Sequence, residues 1–222
     1  MIKNKLGSYN IGFKLGCGVD SICYFGTKEN KEYCLKVINV EIDETTKRNR
    51  VINEIEALKR LRGEENIINF YESFILQANN KEMICICTEL MPISLSQYLY
   101  KKNGKIGEKL CKKISYQIIK ALTVCHENLI VHNDIKSENV VIDPKTLKVK
   151  LIDFGLSSVY NSQKDIFTSL KKTNGTPLFL SPVSFMLSFF SLISSCFVFI
   201  IRKKSIKWIT MKESRMCGAL GF

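Results

Sequence analysis

Across residues 9–40, short apolar runs such as 22–25 and 33–37 are separated by glycines and by the Lys-Glu-Asn-Lys stretch at 28–31. That spacing predicts the strands of an antiparallel sheet. The period then changes. Within 45–61, Val51, Ile55, Leu58 and Leu61 recur at helical spacing with charged residues between them, and Gly63 follows as a stop, which predicts one amphipathic helix. Residues 67–75 and 83–90 again read as strands, joined by a turn at Asn79-Asn80-Lys81. After Pro92 the pattern is helical, over 95–100 and over 109–126, where Ile114, Ile118, Leu122 and Cys125 share one face. Two apolar runs, 140–143 and 149–152, flank Pro144-Lys145 and predict a hairpin. A strand-rich half therefore gives way to a helix-rich half, with 89–95 as the hinge, and no internal repeat is visible.

Composition narrows this picture without redirecting it. With 222 residues, 45% of them hydrophobic, the chain can build one substantial core or two small lobes around a cleft. The first residues lack the apolar stretch of a secretory signal, because Gly7, Ser8 and Asn10 interrupt it. Nine cysteines without a Cys-x-x-Cys pair, and only two histidines, fit reduced thiols better than a disulfide framework or a zinc site. The expected location is thus cytoplasmic or nuclear. A net charge of +12 raises nucleic acid as a partner, but the lysines are spread between apolar positions and cluster only in short runs such as 47–50. Nucleic-acid binding is not expected.

Gly16-Cys17-Gly18 lies between two predicted strands, where residues without a Cβ let backbone N–H groups approach phosphate oxygens. An ordinary glycine turn would look the same. A dinucleotide fingerprint is a poorer match, because the next segment reads as a strand and not a helix. The second half of the chain is more specific. Residues 131–139 read Val-His-Asn-Asp-Ile-Lys-Ser-Glu-Asn, and Asp153-Phe154-Gly155 begins fourteen residues after Asn139. Together they resemble the protein kinase catalytic loop, His-Arg-Asp-x-x-x-x-Asn, and its Asp-Phe-Gly turn. Tyr33-Cys34-Leu35-Lys36 stands where that family has Val-Ala-Ile-Lys, and Glu54 falls within the amphipathic helix.

The resemblance implies an α+β, two-lobed kinase fold spanning 9–182. It comprises an N-terminal antiparallel sheet plus helix over about 9–90 and a partial helical lobe over about 91–182. It also implies ATP and Mg²⁺ as cofactors and a protein serine or threonine as phosphoryl acceptor. Lys36 would contact phosphates while Glu54 holds it. Asn139 and Asp153 would offer oxygens to Mg²⁺. Asp134 would accept or orient the proton of the attacking hydroxyl, with Lys136 beside the transferred group. Nucleotide contacts are further implied for Gly16, Cys17, Gly18 and Cys23, for Cys34 over the adenine, and for Thr88 and Glu89 as gatekeeper and first hinge residue. The Asp-x-Lys pattern and Thr176 favour serine/threonine over tyrosine specificity. Leu58, Phe70, His132 and Phe154 match the family's regulatory spine.

Several positions depart from the pattern. Asn133 replaces the arginine before the catalytic aspartate that commonly pairs with a phosphorylated activation-loop residue, Ser21 replaces the third glycine, and Val183 stands where glutamate should follow Pro182. Thr168, Ser169 and Thr173 are the candidate phosphorylation sites. Beyond Pro182 nothing resembles a kinase. Residues 183–201 form an uncharged apolar run followed by Arg202-Lys203-Lys204, within a tail over 183–222. Two readings stand: a membrane anchor, or a mistranslated end from a retained intron or shifted frame. On either, the chain is expected to be a poor kinase despite intact motifs. The alternative to an enzyme is a nucleotide-binding pseudokinase or scaffold.

Overall fold

The computed structural model describes residues 5–162 except 42, 79 and 80, together with 165. The first half is a six-stranded antiparallel sheet formed by β1 (Lys5–Leu6), β2 (Tyr9–Cys17), β3 (Ser21–Lys28), β4 (Lys31–Glu41), β5 (Phe70–Ala78) and β6 (Lys81–Glu89), in the order β1-β2-β3-β4-β6-β5. Helix α1 (Thr45–Arg60) crosses between β4 and β5. Strand alternation explains why β4 and β6 carry apolar residues on both faces. Leu35, Val37, Cys85 and Cys87 pack on the outer face with Leu6 and Tyr9, whereas Ile38, Val40, Ile84 and Ile86 face inward to the main core. Gly26 lets β3 pack closely against Leu35 of β4, since a Cβ there would lie 2.5 Å from Leu35 Cδ1.

The second half begins with β7 (Ile93–Ser94) and α2 (Leu95–Lys101). Ser94 caps that helix: its Oγ accepts from Gln97 N–H at 3.2 Å while Gln97 Oε1 accepts from Ser94 N–H at 3.1 Å. Helix α3 (Glu108–Glu127) buries Cys111, Ile114, Ile118, Leu122 and Cys125, the face its periodicity predicts. The predicted hairpin forms as β9 (Val140–Ile142) and β10 (Val149–Leu151), with β7 joining β9 as a third strand. β8 (Ile130–Val131) pairs with β11 (Ser158–Val159).

One segment differs from its expected role. Strand β5 starts at Phe70 and not at 67, because Ile67 and Ile68 are drawn under the sheet into the core at 1% and 5% exposure. There Ile67 bridges in parallel to Leu151, Leu151 N–H donates to Asn66 O at 2.8 Å, and Ile68 N–H donates to Leu151 O at 3.0 Å. The run is apolar because it joins the two halves. The buried Asn66 amide completes the joint, with Nδ2 donating to Val149 O at 2.9 Å and to Gln117 Oε1 at 3.3 Å.

Asn66→Ala should lower stability by about 1–3 kcal/mol, the cost of leaving a buried carbonyl unpaired. Urea unfolding checks this. A midpoint equal to wild type would mean that the joint does not depend on this amide.

Candidate active site

The inner face of the sheet meets the second half across a cleft of about 600 Å³, within the ordinary range for small-molecule sites. Register decides which side chains face it. Cys23 lies opposite Lys36, Lys36 opposite Ile86, and Cys34 opposite Thr88, so alternation places all five on one face. At the open end Gly16, Cys17 and Gly18 turn β2 into β3, closed by Gly18 N–H donating to Ser21 O at 2.8 Å. The segment after the glycines is a strand, as predicted.

Lys36 Nζ donates to Glu54 Oε1 at 2.7 Å and to Asp153 Oδ1 at 2.8 Å. Burial alone would push its ammonium down, but the two carboxylates outweigh this and hold it above the ordinary lysine value. Glu54, with its side chain only 5% exposed, is pushed up by burial against the pull of Lys36. Burial also works against the Asp153 carboxylate, yet the Lys36 charge and hydrogen bond bring it below the usual carboxylate range. Asp153 sits at φ +62°, a turn that a short polar side chain tolerates. Gly155 gives this cluster its room: a Cβ there would stand 3.3 Å from both Asp153 Oδ1 and Glu54 Oε2.

A second cluster opens on the same cleft. Asp134 Oδ2 accepts from Lys136 Nζ at 2.6 Å and from Asn139 Nδ2 at 2.7 Å, and Asn139 Nδ2 also reaches Asp134 O at 2.9 Å. His132 supports this loop from below. Its Nδ1 accepts from Asp134 N–H at 3.3 Å, so Nε2 carries the proton it gives to Ile152 O at 3.0 Å. Burial keeps its pKa below the ordinary histidine value, in keeping with that neutral tautomer. Its ring packs edge-on to Phe154 at 4.7 Å, and with Leu58 and Phe70 both are buried.

Two positions behave differently from what their neighbours in sequence imply. Glu89 lines the cleft, but its carboxylate accepts from Lys150 Nζ at 2.5 Å and from Asn69 N–H at 2.6 Å. Sequence reading missed Lys150 and Asn69; the available sign was a lone charge between the buried Val149 and Leu151. Asn133 adopts φ +65° and donates through Nδ2 to Leu156 O and Ser158 Oγ, both at 3.0 Å. A neutral amide fastened there offers no charge to a phosphate. Thr168, Ser169, Thr173, Thr176 and the whole of 183–222 lie outside the described residues.

Asn139 gives its amide N–H to Asp134, leaving its oxygen to offer a cation alongside the Asp153 carboxylate. Among the described residues no group of three or more His, Cys, Asp or Glu could hold a metal ion by itself. Two hard oxygen donors without a full protein cage suit Mg²⁺ arriving with phosphates.

The chain matches the family described as protein kinase domain over residues 9–185. It is similar to the serine/threonine-protein kinase fused of Drosophila melanogaster, at 30% identity over 179 residues, covering 80% of this chain and 21% of that protein. It is 32% identical over 179 residues to the carbon catabolite-derepressing protein kinase of Candida albicans, covering 78% of this chain and 27% of that one. The chain thus spans less than a third of the length of these relatives.

Lys36→Met should remove the counter-charge of a buried carboxylate at a cost of about 3–5 kcal/mol near neutral pH. The loss should shrink as pH falls into the carboxylate range. The raised Glu54 takes up a proton more readily than an ordinary carboxylate, and the stability that wild type draws from the depressed Asp153 is lost only as pH falls through that carboxyl's folded value, below the usual carboxylate range. Unfolding of both proteins from neutral pH down to about pH 3 measures this, and a pH-independent difference would contradict the assigned charges.

Proposed function

This chain belongs to the protein kinase family, and from that premise we propose that its cleft binds ATP with Mg²⁺ and passes the terminal phosphoryl group to a serine or threonine hydroxyl of a protein. The observation that carries this reading is convergence: Lys36, Glu54 and Asp153 on one side and Lys136 and Asn139 on the other come from separate elements and line one cleft, with Asp134 bonded to both Lys136 and Asn139. The kinase domain in this reading is 9–182, with the hinge at 89–95.

Mg-ATP supplies a phosphoryl group whose charge must be neutralised for transfer. Lys36, fixed by Glu54, presents an ammonium to phosphate oxygens, and Gly16, with open space where a Cβ would stand, leaves the backbone of the glycine turn accessible. Asn139 and Asp153 hold oxygens for the cation. Asp134, oriented by Asn139, is the group that takes the hydroxyl proton, and Lys136 at 2.6 Å from it keeps positive charge at the transfer point. That Asp–Lys contact, with the serine/threonine-protein kinase name of the Drosophila relative, supports the acceptor class. Control through phosphate pairing at Asn133 is no part of the proposal. Among the described residues no helix is long and apolar enough to cross a membrane, while 183–201 lies outside them. The scattered thiols without Cys-x-x-Cys spacing support a cytoplasmic or nuclear place.

Single-turnover transfer from radiolabelled ATP to a mixed Ser/Thr peptide pool, run beside the ATP-induced melting shift, tests the reading. Asp134→Asn should slow transfer by about 10²–10⁴-fold with the melting shift largely kept, as expected for loss of a positioned base. A melting shift with no transfer even in wild type would make the chain a nucleotide-binding scaffold.

A further inference from the structure

One lysine outside the cleft reaches the hinge from the other half of the molecule. Lys36, the glycine turn and Glu89 stand on the six-stranded sheet, whereas Asn139 and Asp153 flank the β9–β10 hairpin. Glu89 closes β6 and is fastened within the first half by a reciprocal pair: Asn69 N–H donates to its carboxylate at 2.6 Å, and Glu89 N–H donates to Asn69 O at 2.9 Å. Lys150, at the centre of β10, supplies the link across. Its Nζ donates to Glu89 Oε1 at 2.5 Å and to Ile67 O at 3.0 Å.

Its place in the strand pair gives this contact its reach. Lys150 stands opposite Val141, two residues after Asn139, and Asp153 follows three residues beyond Lys150 as the chain leaves β10. Both oxygens offered to a cation are therefore carried by the strand pair that Lys150 centres. The ion pair is enclosed, with the Lys150 side chain 14% exposed and that of Glu89 23%, so solvent screens it little and removing the ammonium leaves a carboxylate unmatched. Lys150 itself does not line the cleft, while Glu89 does.

We propose that Lys150 is a positioning residue: by holding Glu89 it sets the spacing between the hinge and the Asn139 and Asp153 oxygens, and with it the affinity that Mg²⁺ adds to nucleotide binding. The inference rests on the function proposed above. A base at the hinge and phosphates at Lys36 engage the first half, so binding without the cation depends little on the link. The cation must meet oxygens of the second half while it holds phosphates anchored in the first. That step needs the two halves in register, and Lys150 keeps them there.

Calorimetric titration of the full chain with ATP, once in EDTA and once in Mg²⁺, gives the ratio of the two Kd values, which is the gain from the cation. Wild type is compared with Lys150→Met and with Lys150→Gln, whose shorter neutral amide can serve Ile67 O or Glu89 but not both. In each variant that melts cooperatively, the gain should fall by at least about fivefold, the lower end of coupling between linked sites, while Kd in EDTA stays within about twofold of wild type. A general loosening of the fold would weaken both arms alike. Equal loss in the two arms, or a gain as large as that of wild type, overturns the proposal, and so does failure of both variants to fold, which would make Lys150 a residue of the fold alone. If wild type shows no ATP binding or no gain from Mg²⁺, the function proposed above fails and takes this inference with it. If wild type shows the gain and the variants keep it, that function stands and only the role of Lys150 falls.

Discussion

Lys36 holds two carboxylates that come from elements far apart in the chain, Glu54 on α1 and Asp153 after β10, at 2.7 and 2.8 Å. Charge this deep is tolerable only when matched, so one ammonium fixes the positions of a strand, a helix and a loop together. The match is uneven: one positive charge faces two negative ones. A hard cation at Asp153 would correct the excess and compete with Lys36 for that carboxylate, leaving the ammonium for an anion.

Packing carries this constraint into the loop that bears Asp134. Leu58 of α1, Phe70 of β5, Phe154 and His132 are all buried in the core that runs through both halves, and the His132 ring is locked by its two hydrogen bonds. Moving α1 would disturb Glu54 and, through Leu58, the packing beneath Asp134. Arg60 adds a polar tie, donating from Nη1 to Tyr160 O at 2.8 Å. The joint formed by Asn66, Ile67, Ile68 and Leu151 supplies the other fixed point between the halves.

Much of this was legible because period reports burial directly. The alternation around Lys36 and the helical spacing of Val51 and Leu58 each predicted the element that forms, and the chemistry-bearing residues stood in motifs of fixed spacing. What could not be read depends on partners distant in sequence. Ile67 and Ile68 look like strand residues, yet they are apolar because Leu151 draws them under the sheet. The two-residue strands β7, β8 and β11 are too short to show any period. The Glu89 carboxylate bonds Lys150, whose sequence sign is a lone charge between apolar neighbours that does not name its partner, and Asn133 serves as a fastening to Leu156 and Ser158 with no local sign.

In the function proposed above, this cleft holds a nucleotide through a cation on Asp153 and Asn139 and an ammonium at Lys36. Isothermal titration calorimetry of the full chain with ATP, with and without Mg²⁺, tests it most directly. The expected result is a single site whose affinity rises when Mg²⁺ is present, a gain that Asp153→Ala abolishes. Binding of equal strength with and without Mg²⁺, or a Mg²⁺ gain that survives in Asp153→Ala, would contradict it.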